Sequence, residues 1–126
     1  MSTSRVAAFS RPLRLMAATA FAAGPFDGVW AVTLTCPSTD DGVYGYVFRF
    51  DAQVTDNVLH GERGSRDTGG WMTLDGRIDD SGHARLEARG LTGAPVYSVG
   101  QVKSLTPYIY IVDAQFDSAN GSGHRI

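Results

Sequence analysis

The stretch that decides the fold is "YGYVFRFDAQV", residues 44–54, because apolar and polar side chains alternate along it with a period of two. One face carries Tyr44, Tyr46, Phe48, Phe50, Ala52 and Val54, and the other carries Gly45, Arg49, Asp51 and Gln53. Such alternation is typical of an antiparallel strand that buries one face and exposes the other. The stretch therefore predicts a β-strand with a distinct inside and outside.

The run before it, residues 30–36, alternates in the same way. Trp30, Val32, Leu34 and Cys36 share one face, and Ala31, Thr33 and Thr35 share the other. Between the two runs, residues 37–42 read "PSTDDG" and are rich in turn-forming residues. We therefore expect two neighbouring antiparallel strands joined by a turn.

The rest of the chain continues this pattern. Further strands are predicted at residues 58–60, 72–78, 84–88, 96–103 and 107–117, with the start of another at 124–126. Turn signals or polar loops separate them, and no helical period occurs in residues 23–126. Seven strands and the start of an eighth are typical of a sandwich or an up-and-down barrel. We predict an all-β antiparallel meander that forms a small lipocalin-like barrel, because closure removes exposed strand edges.

The first 22 residues differ from this pattern. Arg5, Arg11 and Arg14 provide a positive start without any acidic residue, and residues 15–22 are apolar but too short to span a bilayer. Residues 20–22, "AFA", fit a small-x-small cleavage site. Residues 1–22 thus predict a signal peptide, with export to the periplasm or the outside and one domain at 23–126. The alternative is a disordered or helical tail.

The charge of that domain narrows its partners. Residues 23–126 contain 8 basic and 13 acidic residues, which gives a net charge of −5, and the basic residues form no cluster. A nucleic-acid-binding protein normally carries a basic patch. We therefore expect no nucleic-acid partner, and no membrane association of the mature form, because an anionic lipid surface would repel it.

Two resemblances support the barrel. Gly28-Val29-Trp30 resembles the G-x-W of lipocalins and the opening of avidin-like barrels, in which the tryptophan closes one end. This implies a structural role for Trp30. More broadly, "FDGVWAVTLTCP", "LDGRIDDSGHARLEARGLTG" and "TPYIYIVDAQFD" are similar to a family of small exported bacterial proteins of unknown function. That resemblance implies a fold and a compartment, and it transfers no catalytic residue.

Cys36 is the only cysteine of the chain. An unpaired cysteine in an exported protein can be buried and inert, can pair between chains, or can have a partner outside the sequence given. The resemblance implies the third possibility, since family members continue past the position of Ile126 with a cysteine in their final strand. We then expect that strand to lie beside Cys36, and the barrel to be poorly tied at this seam without it.

The motifs that catalysis would require are weak. Asp67-Thr68-Gly69 matches the core of an aspartic-protease motif, but it lies in a polar loop instead of following a buried strand. His60, His83 and His124 lie on different elements and lack the spacing of a zinc site. No G-x-S-x-G elbow is present. We expect a protein that is not an enzyme, with no catalytic residue, metal or cofactor.

Binding is the function that the sequence favours. Tyr44, Tyr46, Tyr108 and Tyr110 are predicted to point inward, where their hydroxyls either complete a filled core or line a small pocket. Arg66 and Trp71, beside the loop at 61–70, either contact a partner or cover a neighbouring strand. A cavity of about 300 Å³ or more favours a small ligand, whereas a packed interior favours surface recognition. We expect a binding module for a small ligand or an exported protein, with a periplasmic protease inhibitor as the alternative and a hydrolase third.

Overall fold

The computed structural model describes residues 5–11, 24–39, 42–98 and 100–126. Within these residues the chain forms eight strands: β1 Val6–Ser10, β2 Gly28–Cys36, β3 Tyr46–Thr55, β4 Val58–Arg63, β5 Met72–Arg77, β6 His83–Leu91, β7 Pro107–Phe116 and β8 Asn120–Arg125. Each strand pairs with the next, and β8 pairs with β1, so the sheet closes. The predicted all-β, antiparallel, up-and-down barrel is confirmed. No helix among the described residues is long and apolar enough to cross a lipid bilayer.

Alternation and turn chemistry set the register of the strands. Trp30 lies opposite Ala52 and Leu34 lies opposite Phe48, so the inward positions of β2 and β3 meet. Asp56 and Asn57 connect β3 to β4 with φ angles of 51° and 63°. A two-residue hairpin with positive φ at both positions matches the twist of the flanking strands. The alternation and the short turns together therefore place the inward-facing residues of neighbouring strands opposite each other.

Strand β1 lies within the segment predicted as a signal peptide, residues 1–22. Val6 pairs with Thr35 on one side and with His124 on the other, so β1 lies between β2 and β8. Ala7 and Phe9 are buried in the barrel core. Residues 12–22, which include the predicted cleavage motif, lie outside the described residues. The edge of β2 that was expected to be poorly tied is therefore occupied by β1.

The predicted strand at residues 96–103 is wrong. Pro95–Tyr97 form a 3-10 turn, and the other described residues of 92–106 form a loop from β6 to β7. Pro95 has no N–H to donate to a ladder. Gln101 and Leu105 also have positive φ angles, of 50° and 63°, which interrupt an extended strand. The last strand also begins earlier than predicted, at Asn120.

One end of the barrel, which we call the closed end, is filled with aromatic side chains. It is the end at which β1, β3, β5 and β7 finish. The Trp30 ring is fully buried and meets the Phe116 ring edge-on at 5.2 Å, while Phe9 contacts Phe116 at 4.7 Å. Trp30 Nε1–H donates a hydrogen bond of 2.8 Å to the carbonyl oxygen of Phe26. This packing leaves the opposite end, the open end, as the place where the interior is accessible.

Candidate functional site

The open end of the barrel contains a cavity of about 670 Å³. Its lining combines inward-facing residues of the strands with residues of the loop at 92–106. The strand residues include Tyr46, Phe48, Tyr108 and Tyr110, and the loop residues include Thr92, Gly93, Ala94 and Tyr97. The interior is thus packed in its closed half and hollow in its open half.

Four aromatic rings from β3 and β7, strands on opposite sides of the barrel, line this cavity, and we call these four rings together the aromatic wall. Tyr108 and Tyr110 stack with ring centroids 5.8 Å apart and planes tilted by 11°. Tyr46 and Phe48 lie next to each other at 4.8 Å. A Cβ atom at Gly90 would lie only 2.6 Å from the hydroxyl of Tyr108, so the bare backbone of β6 makes room for that side chain. The wall therefore offers flat apolar faces with a few hydroxyl groups.

Three arginines lie at the same end. Arg5, Arg63 and Arg125 all line the cavity. Each lies two residues along the chain from a buried, inward-facing residue. Arg63, for example, follows the buried Leu59 and Gly61 at intervals of two. The Arg5 guanidinium carbon lies 4.5 Å from the centroid of the Tyr110 ring, and that of Arg125 lies 5.1 Å from the same centroid. Cation–π contacts of this kind hold a guanidinium over the face of a ring.

Arg63 plays a second, structural part. Its guanidinium carbon lies 4.0 Å from the centroid of the Phe48 ring, and its Nη1 donates a 2.8 Å hydrogen bond to the carbonyl oxygen of Gly70. The loop between β4 and β5 is thereby held against the cavity. Arg5 and Arg125 form no such hydrogen bond to a loop among the described residues.

The tyrosine hydroxyls of the cavity are protonated at neutral pH. Burial raises the pKa of Tyr46, Tyr108 and Tyr110 above the ordinary value, although the nearby charge of Arg5 acts in the opposite direction. A protonated phenol can donate a hydrogen bond. The cavity thus presents cationic groups and neutral hydroxyl donors, and none of the described residues that line it is an aspartate or a glutamate.

Hydrogen bonds hold the loop at 92–106 in place at the rim. Thr92 Oγ1 donates to the carbonyl oxygen of Lys103 (2.7 Å) and accepts from the backbone N–H of Thr106 (3.0 Å). The backbone N–H of Tyr44 donates to the carbonyl oxygen of Val96 (2.9 Å), which ties this loop to the connection between β2 and β3. The mouth of the cavity is therefore built from two connected loops.

The structure places the four predicted tyrosines in two different positions. Tyr46, Tyr108 and Tyr110 line the cavity. Tyr44 instead lies in the connection that precedes β3, with 62% of its surface exposed, and the centroid of its ring lies 6.1 Å from that of Tyr97. Tyr44 lines a smaller neighbouring cavity, next to Cys36.

Arg66 and Trp71 lie away from the cavity lining. Trp71 Nε1–H donates a 2.7 Å hydrogen bond to Glu62 Oε2, and the Arg66 guanidinium carbon lies 5.6 Å from the centroid of the Trp71 ring. These side chains therefore contact each other on the outer surface of the loop between β4 and β5, and the structure does not bring them together with the tyrosines.

The two residues predicted as structural are both buried. Trp30 packs the closed end, as described above. Cys36 ends β2 on its inward face, with 5% of its surface exposed, and it is a free thiol. Its cross-strand partner is Tyr46, whose side chain shares a hydrogen bond with the thiol. Cys36 thus lies at the open end of β2, in the lining of a small cavity next to the larger one.

The residues considered for catalysis and metal binding are dispersed. His60 pairs with Asp75, and His83 Nε2 lies 2.6 Å from Asp113 Oδ1, both in accessible positions. Asp67, with φ of 68°, lies in the turn between β4 and β5. Over the described ranges of the chain, no three histidine, cysteine, aspartate or glutamate side chains converge in a geometry that could hold a metal ion.

Sequence reasoning missed the three arginines of the cavity. For Arg63, the signal was position: it follows Leu59 and Gly61 at intervals of two, so it falls on the inward face. Arg125 follows Gly123 in the same way.

Comparison of the chain with protein-family models, with curated proteins and with solved structures finds no match. The site is therefore interpreted from its own geometry.

Proposed function

We propose that this protein is a binding module that takes up one small molecule in the open-end cavity. The observation that carries the proposal is the cavity of about 670 Å³ between the barrel wall and the loop at 92–106. Ligand pockets typically measure about 300–1,000 Å³ and combine apolar walls with a few placed polar groups. The aromatic wall, the tyrosine hydroxyls and the three arginines fit that description.

A bound molecule would exclude water from the aromatic wall. Phe48 and Tyr108 are only partly buried, although they pack against the core on one side. Covering their exposed ring surface would contribute about 25 cal/mol per Å² of apolar area. The rigid strands provide a preformed wall, so binding would require little ordering of the protein.

The proposal is tested by filling the cavity with a side chain. Gly93 lines the cavity, and a Cβ atom added to it would have only the backbone N of Gly70 nearby, at 4.0 Å. Gly93→Trp should therefore occupy the cavity without disturbing the barrel. Val58→Trp is the matched control, because Val58 is exposed at the closed end.

Two fluorescent probes report binding: N-phenyl-1-naphthylamine, which is neutral, and its anionic 8-sulfonate. We expect saturable binding of at least one probe at one site per chain, lost in Gly93→Trp and retained in Val58→Trp. The proposal is overturned if neither probe binds, or if Gly93→Trp binds as well as the unmodified protein.

A further inference from the structure

We propose that the ligand of the open-end cavity is an organic carboxylate with an apolar body, whose carboxylate lies between Arg5 and Arg125. This inference rests on the proposed function and specifies its ligand class. The carboxylate would meet the guanidinium groups next to Tyr110, and the apolar body would lie along the aromatic wall towards the mouth.

Arg5 and Arg125 place two like charges side by side at the open end. The backbone N–H of Arg125 donates a 3.0 Å hydrogen bond to the carbonyl oxygen of Arg5, so the two residues face each other across the seam of β1 and β8. Their side chains approach the same ring, that of Tyr110. Like charges placed opposite each other on neighbouring strands are destabilising.

No carboxylate of the protein relieves this repulsion in the part of the chain that the structure describes. The ion pairs found there involve His60, His83 and Arg89, and none includes Arg5, Arg63 or Arg125. The net charge of the whole chain is nevertheless −2. Acidic side chains are thus plentiful in the chain, but none of the described ones pairs with these arginines, and a bound anion would supply a partner in the cavity.

Hydroxyl donors lie beside the arginines. Tyr108 and Tyr110 carry neutral hydroxyl groups at physiological pH, for the reason of burial given above. A carboxylate accepts hydrogen bonds from both guanidinium and hydroxyl groups, and bonds to a charged acceptor are the stronger ones. A cationic ligand would find no acidic partner among the described residues of this lining.

The cavity is large, and much of its lining is apolar. About 670 Å³ is far more than a simple inorganic anion would fill. The lining also includes apolar side chains that are not fully covered: Val102 of the loop, at 37% exposed, and the partly buried rings of Phe48 and Tyr108. Exposed apolar side chains around a pocket are typical of a surface that a ligand covers. The ligand therefore needs an apolar body as well as its charge.

The test compares two molecules of the same shape, 2-naphthoate and 2-naphthamide, which differ in charge. Their dissociation constants are measured by titration calorimetry with the full chain. We expect naphthoate to bind more tightly than naphthamide by about 10- to 100-fold, the effect of a charged hydrogen-bonded contact. Arg125→Gln should weaken naphthoate binding by a similar factor and naphthamide binding by less than about twofold.

Arg5→Gln is the second variant, and Arg77→Gln, at the closed end, is the control. Equal affinity for the two molecules, lost together in Gly93→Trp, would overturn the carboxylate inference and leave the proposed function standing. Binding of neither molecule and of neither fluorescent probe would instead overturn the proposed function. An undiminished preference for naphthoate in both arginine variants would also refute the assigned residues.

Discussion

Trp30 and Trp71 illustrate how differently one residue type behaves in two positions. Trp30 is fully buried, whereas Trp71 is only partly buried and bonds to Glu62 at the surface. Trp30→Ala should therefore lower the free energy of unfolding by about 3–5 kcal/mol. Trp71→Ala should change it by less than about 1 kcal/mol. Urea unfolding curves of the two variants measure both values, and similar losses would contradict the placement of Trp71.

Gly82 occupies a position that no other residue fits. Its φ is 87°, and an added Cβ atom would lie 2.1 Å from the carbonyl oxygen of Phe116. Gly100 has a similar φ of 75°, but an added Cβ atom meets nothing within 4 Å. Gly100→Ala should lower the free energy of unfolding by about 1–2 kcal/mol, because of backbone strain alone. Gly82→Ala should cost about 1–3 kcal/mol more because of the collision.

Thermal unfolding of the two glycine variants measures this difference directly. If Gly82→Ala and Gly100→Ala lose the same stability, the close approach between the turn at 79–82 and the end of β7 is not present in solution.

The tyrosines and the arginines of the cavity were not equally predictable. Tyr46, Tyr108 and Tyr110 continue apolar alternation, so their inward placement is a direct expectation from periodicity. Arg63 and Arg125 obey the same period, but a charged residue on an inward position contradicts the usual rule that charges face water. Both conditions are met where the barrel interior opens to water, and the period of two alone does not show which inward positions lie there.

Most elements followed from their periodicity, and the exceptions have physical causes. The loop at 92–106 contains enough apolar residues to imitate a strand, but Pro95 and the positive φ of Gln101 and Leu105 prevent a ladder. Strand β1 was missed because its five residues follow Arg5 and precede an apolar run, the pattern of a signal peptide. Export with removal of residues 1–22 stays a prediction, which the intact mass of the exported protein would check.

Strand β1 contributes buried surface that a chain of residues 23–126 would lack. Ala7 and Phe9 are exposed by only 1% and 2%. Loss of the Phe9 side chain alone should lower the free energy of unfolding by about 3–5 kcal/mol. That is a large part of a typical stability of about 5–15 kcal/mol. We therefore expect the shorter chain to unfold at much lower urea concentration than the full chain.

The thiol of Cys36 gives a second readout of the same change. In the full chain, Cys36 should react slowly with a thiol reagent, because it is buried at the edge that β1 covers. In the shorter chain the thiol should react faster. The rate measured for the full chain in denaturant gives the upper limit of this reaction rate. Equal stability and equal thiol protection in the two chains would mean that β1 is dispensable.

For the whole molecule, the buried tyrosines make stability depend on alkaline pH. Burial raises the pKa of Tyr46, Tyr108 and Tyr110 in the folded state, while the unfolded chain keeps the ordinary value of about 10. Above that pH the unfolded state releases protons that the folded state still binds, so unfolding becomes more favourable. Stability should be complete below about pH 10 and should fall as the pH rises beyond it.

Urea midpoints measured between neutral and alkaline pH test this dependence. Tyr110→Phe should reduce the slope, since it removes one of the groups with a raised pKa. An unchanged slope in that variant, with a normal titration of all tyrosines, would contradict the burial of these hydroxyls.

The pairing of β8 with β1 makes the spatial order of the strands circular. The backbone hydrogen bond between Arg125 and Arg5 brings the two ends of the described barrel together. A permuted chain can therefore start at Gly24, run to Ile126 and continue through a short flexible linker into residues 5–11. Every strand would keep both neighbours, with β8 and β1 now joined as a hairpin. Such a permutant should unfold cooperatively and bind the same probes, whereas a molten chain would show that β1 does not close the barrel.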